Sequence, residues 1–166
     1  MKKTIWLRIK PFSINAYHSA NKRFKTSAAR DWEMSVFYQM AKPYVQDTFR
    51  QLRDAITERE SVVELGLTAY YPQFFTVSGI ISNRTLDITN WEKPLVDLLM
   101  LPKYHETPSP HGAPNLNFDD RFLIKVTSEK APSKNDEYWV KIDITIHPAP
   151  KPETHLIEGL VHNNEN

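Results

Sequence analysis

The order of hydrophobic periods along this 166-residue chain predicts an α+β domain, a single small mixed sheet of about four strands packed against helices. Three observations carry the prediction. Apolar and polar residues alternate in four separated stretches, the period of a half-buried strand. Between the first two stretches, apolar residues recur at three- and four-residue steps, the period of a helix face. A second helical stretch, with a proline near its start, separates the second strand from the third.

Lys3 to Lys10 sets Ile5, Leu7 and Ile9 against Lys and Arg and reads as the first strand. A polar, basic loop runs from Ser13 to Thr26, and Ser27 reads as the N-cap of a long helical region. There Trp32, Val36, Phe37 and Met40, then Val45, Phe49, Leu52 and Ile56, share helical spacing. Pro43 splits the region into two helices, because proline lacks an amide hydrogen and its ring collides with the preceding turn. Val62 to Tyr71 is the second strand, with Val63, Leu65, Leu67 and Ala69 on one face. Gln73 to Asn83 reads as a short ribbon around Gly79. The next helix starts at about Asn90 and ends at about Met100, since Pro94 is tolerated only near a helix start; Asp87 and Thr89 then lie in the turn before it.

Pro102 to Pro114 is a loop rich in Pro and His. Phe122, Ile124 and Val126 form one face of a third strand, and Tyr138, Val140, Ile142, Ile144 and Ile146 that of a fourth. Ala131 to Asp136 has turn composition, which predicts an antiparallel hairpin. Trp32 and Trp139 fall in apolar patterns and are assigned to the core. Residues 1–147 make the domain, and 148–166, opening Pro-Ala-Pro-Lys-Pro, have the composition of a flexible tail.

Composition excludes several function classes. The absence of cysteine removes disulfides and thiolate zinc sites. No apolar run reaches the roughly 18–20 residues that span a bilayer, and the charges of Met1–Arg8 are too closely set for a signal peptide. The expectation is a cytoplasmic protein with no membrane partner. A net charge of +1 does not decide a nucleic-acid partner, because acids of a metal site can cancel a basic rim. Nucleophile-elbow and phosphate-loop motifs are absent. His105, Glu106 and His111 lack the spacing of a helical zinc site.

The chemistry concentrates around Asp87. Asn90, Lys93 and Asp97 fall on one helix face with Asp87 just before it, joining an acid, an amide and an ammonium group at a positive helix end where a phosphate is favoured. Asp119 and Asp120 then open a strand. Carboxylates gathered at element ends are the hard-oxygen ligands that Mg²⁺ takes. The plain alternative is a helix cap at Asp87 or Thr89, a surface pair Lys93–Asp97, and a turn at Asp119-Asp120.

The order Asp-x-Thr-Asn-x-x-Lys-x-x-x-Asp-x-Leu from Asp87, followed by Asp119-Asp120 and an apolar strand, resembles the RusA-type Holliday-junction resolvases. Those enzymes read Asp-x-Asp-Asn-x-x-Lys-x-x-x-Asp-Ala-Leu and then Asp-Asp. Ser13-x-Asn15, followed by a basic, aromatic loop and a helix, agrees as well. The resemblance implies a small α+β homodimer in which each subunit nicks one strand of a four-way DNA junction with Mg²⁺ or Mn²⁺. By position it makes Asp87, Lys93 and Asp120 the catalytic set, with Asp87 and Asp120 as metal carboxylates and Lys93 near the scissile phosphate. Asn15, Tyr17, Lys22, Arg23, Lys25, Arg84 and Asn90 become candidate DNA contacts. Tyr17 and Phe24 would stack on unpaired bases, while the Lys22, Arg23, Lys25, Arg30 cluster has an equal reading as solvated surface.

Two departures matter. Thr89 stands where the family has its second aspartate, so Asp119, Asp97, Thr89 itself or a water completes the ligand set, or metal binding is impaired. The Asp97–Asp120 spacing is also longer than in the family, with 102–114 as the insertion. The expected function is junction resolution in DNA recombination and repair, in a bacterial or phage-infected cell. The alternatives are a nuclease for flaps and forks, a junction-binding protein without cleavage, and a structural adaptor.

Overall fold

β2 (Ser61–Tyr71) is the strand on which the sheet is built, buried at every second residue along its length. The computed structural model describes residues 1–18, 24–57, 60–100, 116 and 120–150. β1 (Lys2–Leu7), β3 (Leu123–Pro132) and β4 (Trp139–Pro148) complete one mixed sheet in the order β1-β4-β2-β3. Three helices, α1 (Ser27–Met40), α2 (Pro43–Ala55) and α3 (Ile88–Met100), accompany it, so the domain is α+β with a four-stranded sheet.

The predicted β3–β4 hairpin is not formed. β4 lies between β1 and β2 and is antiparallel to both, whereas β3 is an edge strand parallel to β2. The physical reason lies in reach. The Ser133–Tyr138 connection can extend about 20 Å, enough to cross one intervening strand and cover the roughly 10 Å between alternate strands. β3 reaches its parallel place through the β2–α3–β3 crossover, since parallel neighbours need a long connection.

The predicted face of β3 also changes. Phe122 lies in a 3-10 turn (Asp120–Phe122), and a register shift at Val63/Glu64 turns Ile124 outward to 53% exposure. Leu123 packs on the core in place of Ile124, while Phe122 and Val126 pack there as expected.

The core fills one side of the sheet. Ile5 and Leu7, alternate residues of β2 from Val63 to Tyr71, and Val140 to Ile146 of β4 join Trp32, Val36, Met40, Val45, Phe49, Leu52, Trp91, Leu95 and Leu99 in one cluster. Truncating Phe49, which is fully buried, is a change of the kind that costs about 3–5 kcal/mol. Among the described residues no helix covers the other face, which carries Thr4, Trp6, Tyr70, Lys141 and Asp143. Trp139 pairs in register with Tyr70 on that open face and is half-buried, so it is not a core residue as expected; Trp32 is.

Caps set the helix ends. Thr26, one residue before the expected Ser27, caps α1 by accepting from the Ala29 amide at 3.1 Å. Pro43 stands in the first turn of α2 and divides the two helices as predicted. α3 begins at Ile88, two residues earlier than Pro94 implies, so Pro94 is inside the helix and Thr89 is in its first turn rather than before it. Leu116, 1% exposed, donates its amide to the Leu99 carbonyl at 2.8 Å and ties the returning chain to the end of α3. β4 runs to Pro148, paired with Ser61, one residue past the expected domain end. Residues 101–115, with His105, Glu106 and His111, and 151–166 of the expected tail lie outside the described residues. No helix among the described residues is long and apolar enough to cross a membrane.

Candidate active site

α3 is seated by its apolar side and presents its polar side outward. Trp91, Leu95 and Leu99 anchor it in the core, and Glu92 accepts a 2.5 Å hydrogen bond from Ser128 of β3. Its start is held at the carboxyl end of β2. There the buried Tyr71 hydroxyl is pushed up to about 12 by burial, with the Leu86 backbone beside it working the other way.

The outward stripe is the predicted one. Asp87, exposed, accepts from the Asn90 side-chain amide at 3.5 Å, and the Asn90 backbone amide donates to the Asp87 carbonyl at 3.0 Å. Lys93 and Asp97 meet at 3.5 Å with side chains 68% and 39% exposed. A pair this long and this exposed contributes little to stability. It leaves Lys93 free to exchange its carboxylate partner for a phosphate. Pro94 cannot donate to the Asn90 carbonyl, so that oxygen lacks its usual helical hydrogen bond. The donors near the helix start are thus all oxygen, the chemistry that suits Mg²⁺ or Mn²⁺.

Asp120 opens the 3-10 turn that leads into β3, while Asp119 and the Asp120 side chain lie outside the described residues. Asp87 and Asp120 therefore flank the two ends of the α3 crossover, whose helix is about 20 Å long. Among the described residues no three of His, Cys, Asp and Glu gather to hold a metal ion.

The candidate DNA contacts divide. Asn15 lies exposed in a 3-10 turn (Ile14–Ala16) that packs against α3. Arg84 pairs with the Gln73 side chain, not with Asp87. Lys22 and Arg23 lie outside the described residues. Tyr17 is a core residue at 6% exposure, its ring edge-on to Phe12, His18 and Trp32, so the expectation that it stacks on bases does not fit its burial. Phe24, 68% exposed, is the open aromatic of that loop.

Sequence reasoning missed Glu33, which sits on the apolar stripe of α1 between Ala29 and Val36 and is 8% exposed. It accepts from the Tyr17 hydroxyl and from Lys25 Nζ at 2.6 Å. Lys25 also lies over the Tyr17 ring, 5.5 Å from its centre. Burial, then the hydrogen bond and charge of Glu33, then the charge of Asp97 push the Tyr17 hydroxyl well above its usual range. The position of Glu33 within an otherwise apolar helical face was the available signal.

Compared with known proteins, the chain matches no family model and no curated protein.

Proposed function

We propose that this protein is a Mg²⁺- or Mn²⁺-dependent endodeoxyribonuclease that nicks branched DNA, four-way junctions above all, as a homodimer in the cytoplasm of a bacterial or phage-infected cell. The observation that supports it is the loosely partnered stripe Asp87, Asn90, Lys93 and Asp97 along the start of α3, with Asp87 and Lys93 exposed, in the order of the resolvase motif. By the resemblance, Asp87 and, if the chain after α3 returns to the start of that helix, Asp120 would hold the cation. When bound, it supplies a Lewis acid and a water of lowered pKa. Lys93 meets the non-bridging phosphate oxygens and stabilises charge that develops in the transition state. The half-buried Asn90 and the exposed Asn15 orient the backbone around it.

Thr89 favours a second reading. A hydroxyl replaces the family's second aspartate, and an incomplete acid set leaves a junction-binding protein that does not cut. Incubating the full chain with end-labelled four-way junctions, forks, flaps and linear duplex, in Mg²⁺ and in EDTA, separates the readings. Paired nicks in junctions only with Mg²⁺ support resolution. Binding without nicks in Mg²⁺ or Mn²⁺ supports the second reading.

A further inference from the structure

Between β2 and α3 the chain makes a ribbon whose exposed side chains are apolar. Phe75 bridges Ile81, Thr76 donates its amide to the Ile80 carbonyl at 2.7 Å, and Ser82 donates to Phe74 at 2.8 Å. A turn closes the tip. The Gly79 amide donates to the Thr76 carbonyl at 2.9 Å, and Gly79 adopts φ +78°, which a residue without Cβ tolerates. Phe74 packs inward against the core. Outward stand Phe75 at 53%, Val77 at 110%, Ile80 at 66% and Ile81 at 56% exposure. From Pro72 to Asn83 there is no charged residue.

A hydrogen-bonded ribbon that shows four large apolar side chains to water marks an interaction site. We propose that this ribbon is the homodimer contact, in which the ribbons of two copies pack on each other about a two-fold axis. The dimer is that of the nuclease reading, on which this inference rests. Two features favour a second copy as the occupant. An isologous contact sets each patch against itself, so a charged patch repels its mate while an uncharged apolar one is self-complementary. A nucleic acid, by contrast, is held by cations, and the ribbon has none. The area is sufficient as well. At roughly 150–250 Å² for a large side chain, these exposures leave about 500 Å² per copy. Two ribbons packed on each other bury about 1,000 Å² in total, the area at which a specific interface begins. The ribbon leads directly into Asp87, so pairing it holds the starts of both α3 helices near the axis.

Sedimentation equilibrium of the full chain at micromolar concentration tests this without using cleavage. The parent is expected at twice the 19.4 kDa of one chain, and the double variant Val77→Lys, Ile80→Lys at one chain mass with unchanged circular dichroism. Trp6→Glu, on the open sheet face, is expected to stay dimeric. A monomeric parent, a double variant that remains dimeric, or dissociation by Trp6→Glu alone would overturn the proposal. So would a double variant that keeps its oligomeric state and loses affinity for a four-way junction, which would assign the ribbon to DNA. A dimer of this kind that never cuts DNA leaves the interface standing and removes only the nuclease reading.

Discussion

The start of α3 and the corner around Tyr17 hold similar functional groups in opposite conditions. Asp87 and Lys93 are exposed, with partners at 3.5 Å. Tyr17, Lys25 and Glu33 satisfy one another, with Glu33 and the Tyr17 ring buried. The first set is available to a ligand and contributes little to stability. The second is committed to stability, beside the bridge between His18 and Lys25. Availability, not residue type, separates candidate catalytic groups from structural ones.

Substitutions should break that contrast in a definite order. Asp87→Asn and Asp120→Asn are expected to lower junction cleavage at least about 100-fold, nearly 3 kcal/mol of transition-state stabilisation, with junction affinity little changed. Gel-shift and single-turnover assays measure both. Glu33→Ala should instead cost about 2–3 kcal/mol of stability, because it strands the buried Tyr17 hydroxyl. Thermal unfolding would read this as a fall of roughly 5–10 °C in Tm. Lys93→Ala and Asp97→Ala should each change stability by less than about 0.5 kcal/mol, while Lys93→Ala removes most cleavage. A Glu33→Ala protein as stable as the parent would erase the distinction.

The comparison extends to pH. The hydroxyls of Tyr17 and Tyr71 are both held above the ordinary value of 10.0, Tyr71 at about 12, chiefly by burial. Each is neutral when protonated, and the unfolded state releases its proton first. Their contribution is therefore intact below about pH 10 and is lost as pH rises through the folded values. Denaturant midpoints between pH 8 and 11 should fall at the alkaline end, and Tyr71→Phe should flatten the decline. Smallest is Thr89→Asp, which adds an anionic oxygen in the first turn of α3 and should raise Mg²⁺ affinity several-fold by calorimetry. Weaker binding with the fold intact would place Thr89 in a different, complete ligand set.

Periodicity made much of this legible. The alternation in β2 and β4 named their buried faces, and Pro43 marked the break between α1 and α2. Pairing was not legible, because a two-residue period identifies the face of a strand and not its neighbour. The direction of β4 against β3 was right; their adjacency was not. At the site, the α3 stripe followed from spacing alone. Tyr17 was misread because a basic, aromatic loop resembles a nucleic-acid surface until a buried carboxylate such as Glu33 claims its members.

The most direct test is single-turnover cleavage of a labelled four-way junction by the parent and by Asp87→Asn, at equal saturating protein with Mg²⁺. The account predicts paired nicks from the parent and, from Asp87→Asn, bound junction that stays intact. Cleavage by Asp87→Asn at the parental rate, or a parent that binds junctions and never cuts them in Mg²⁺ or Mn²⁺, would contradict it.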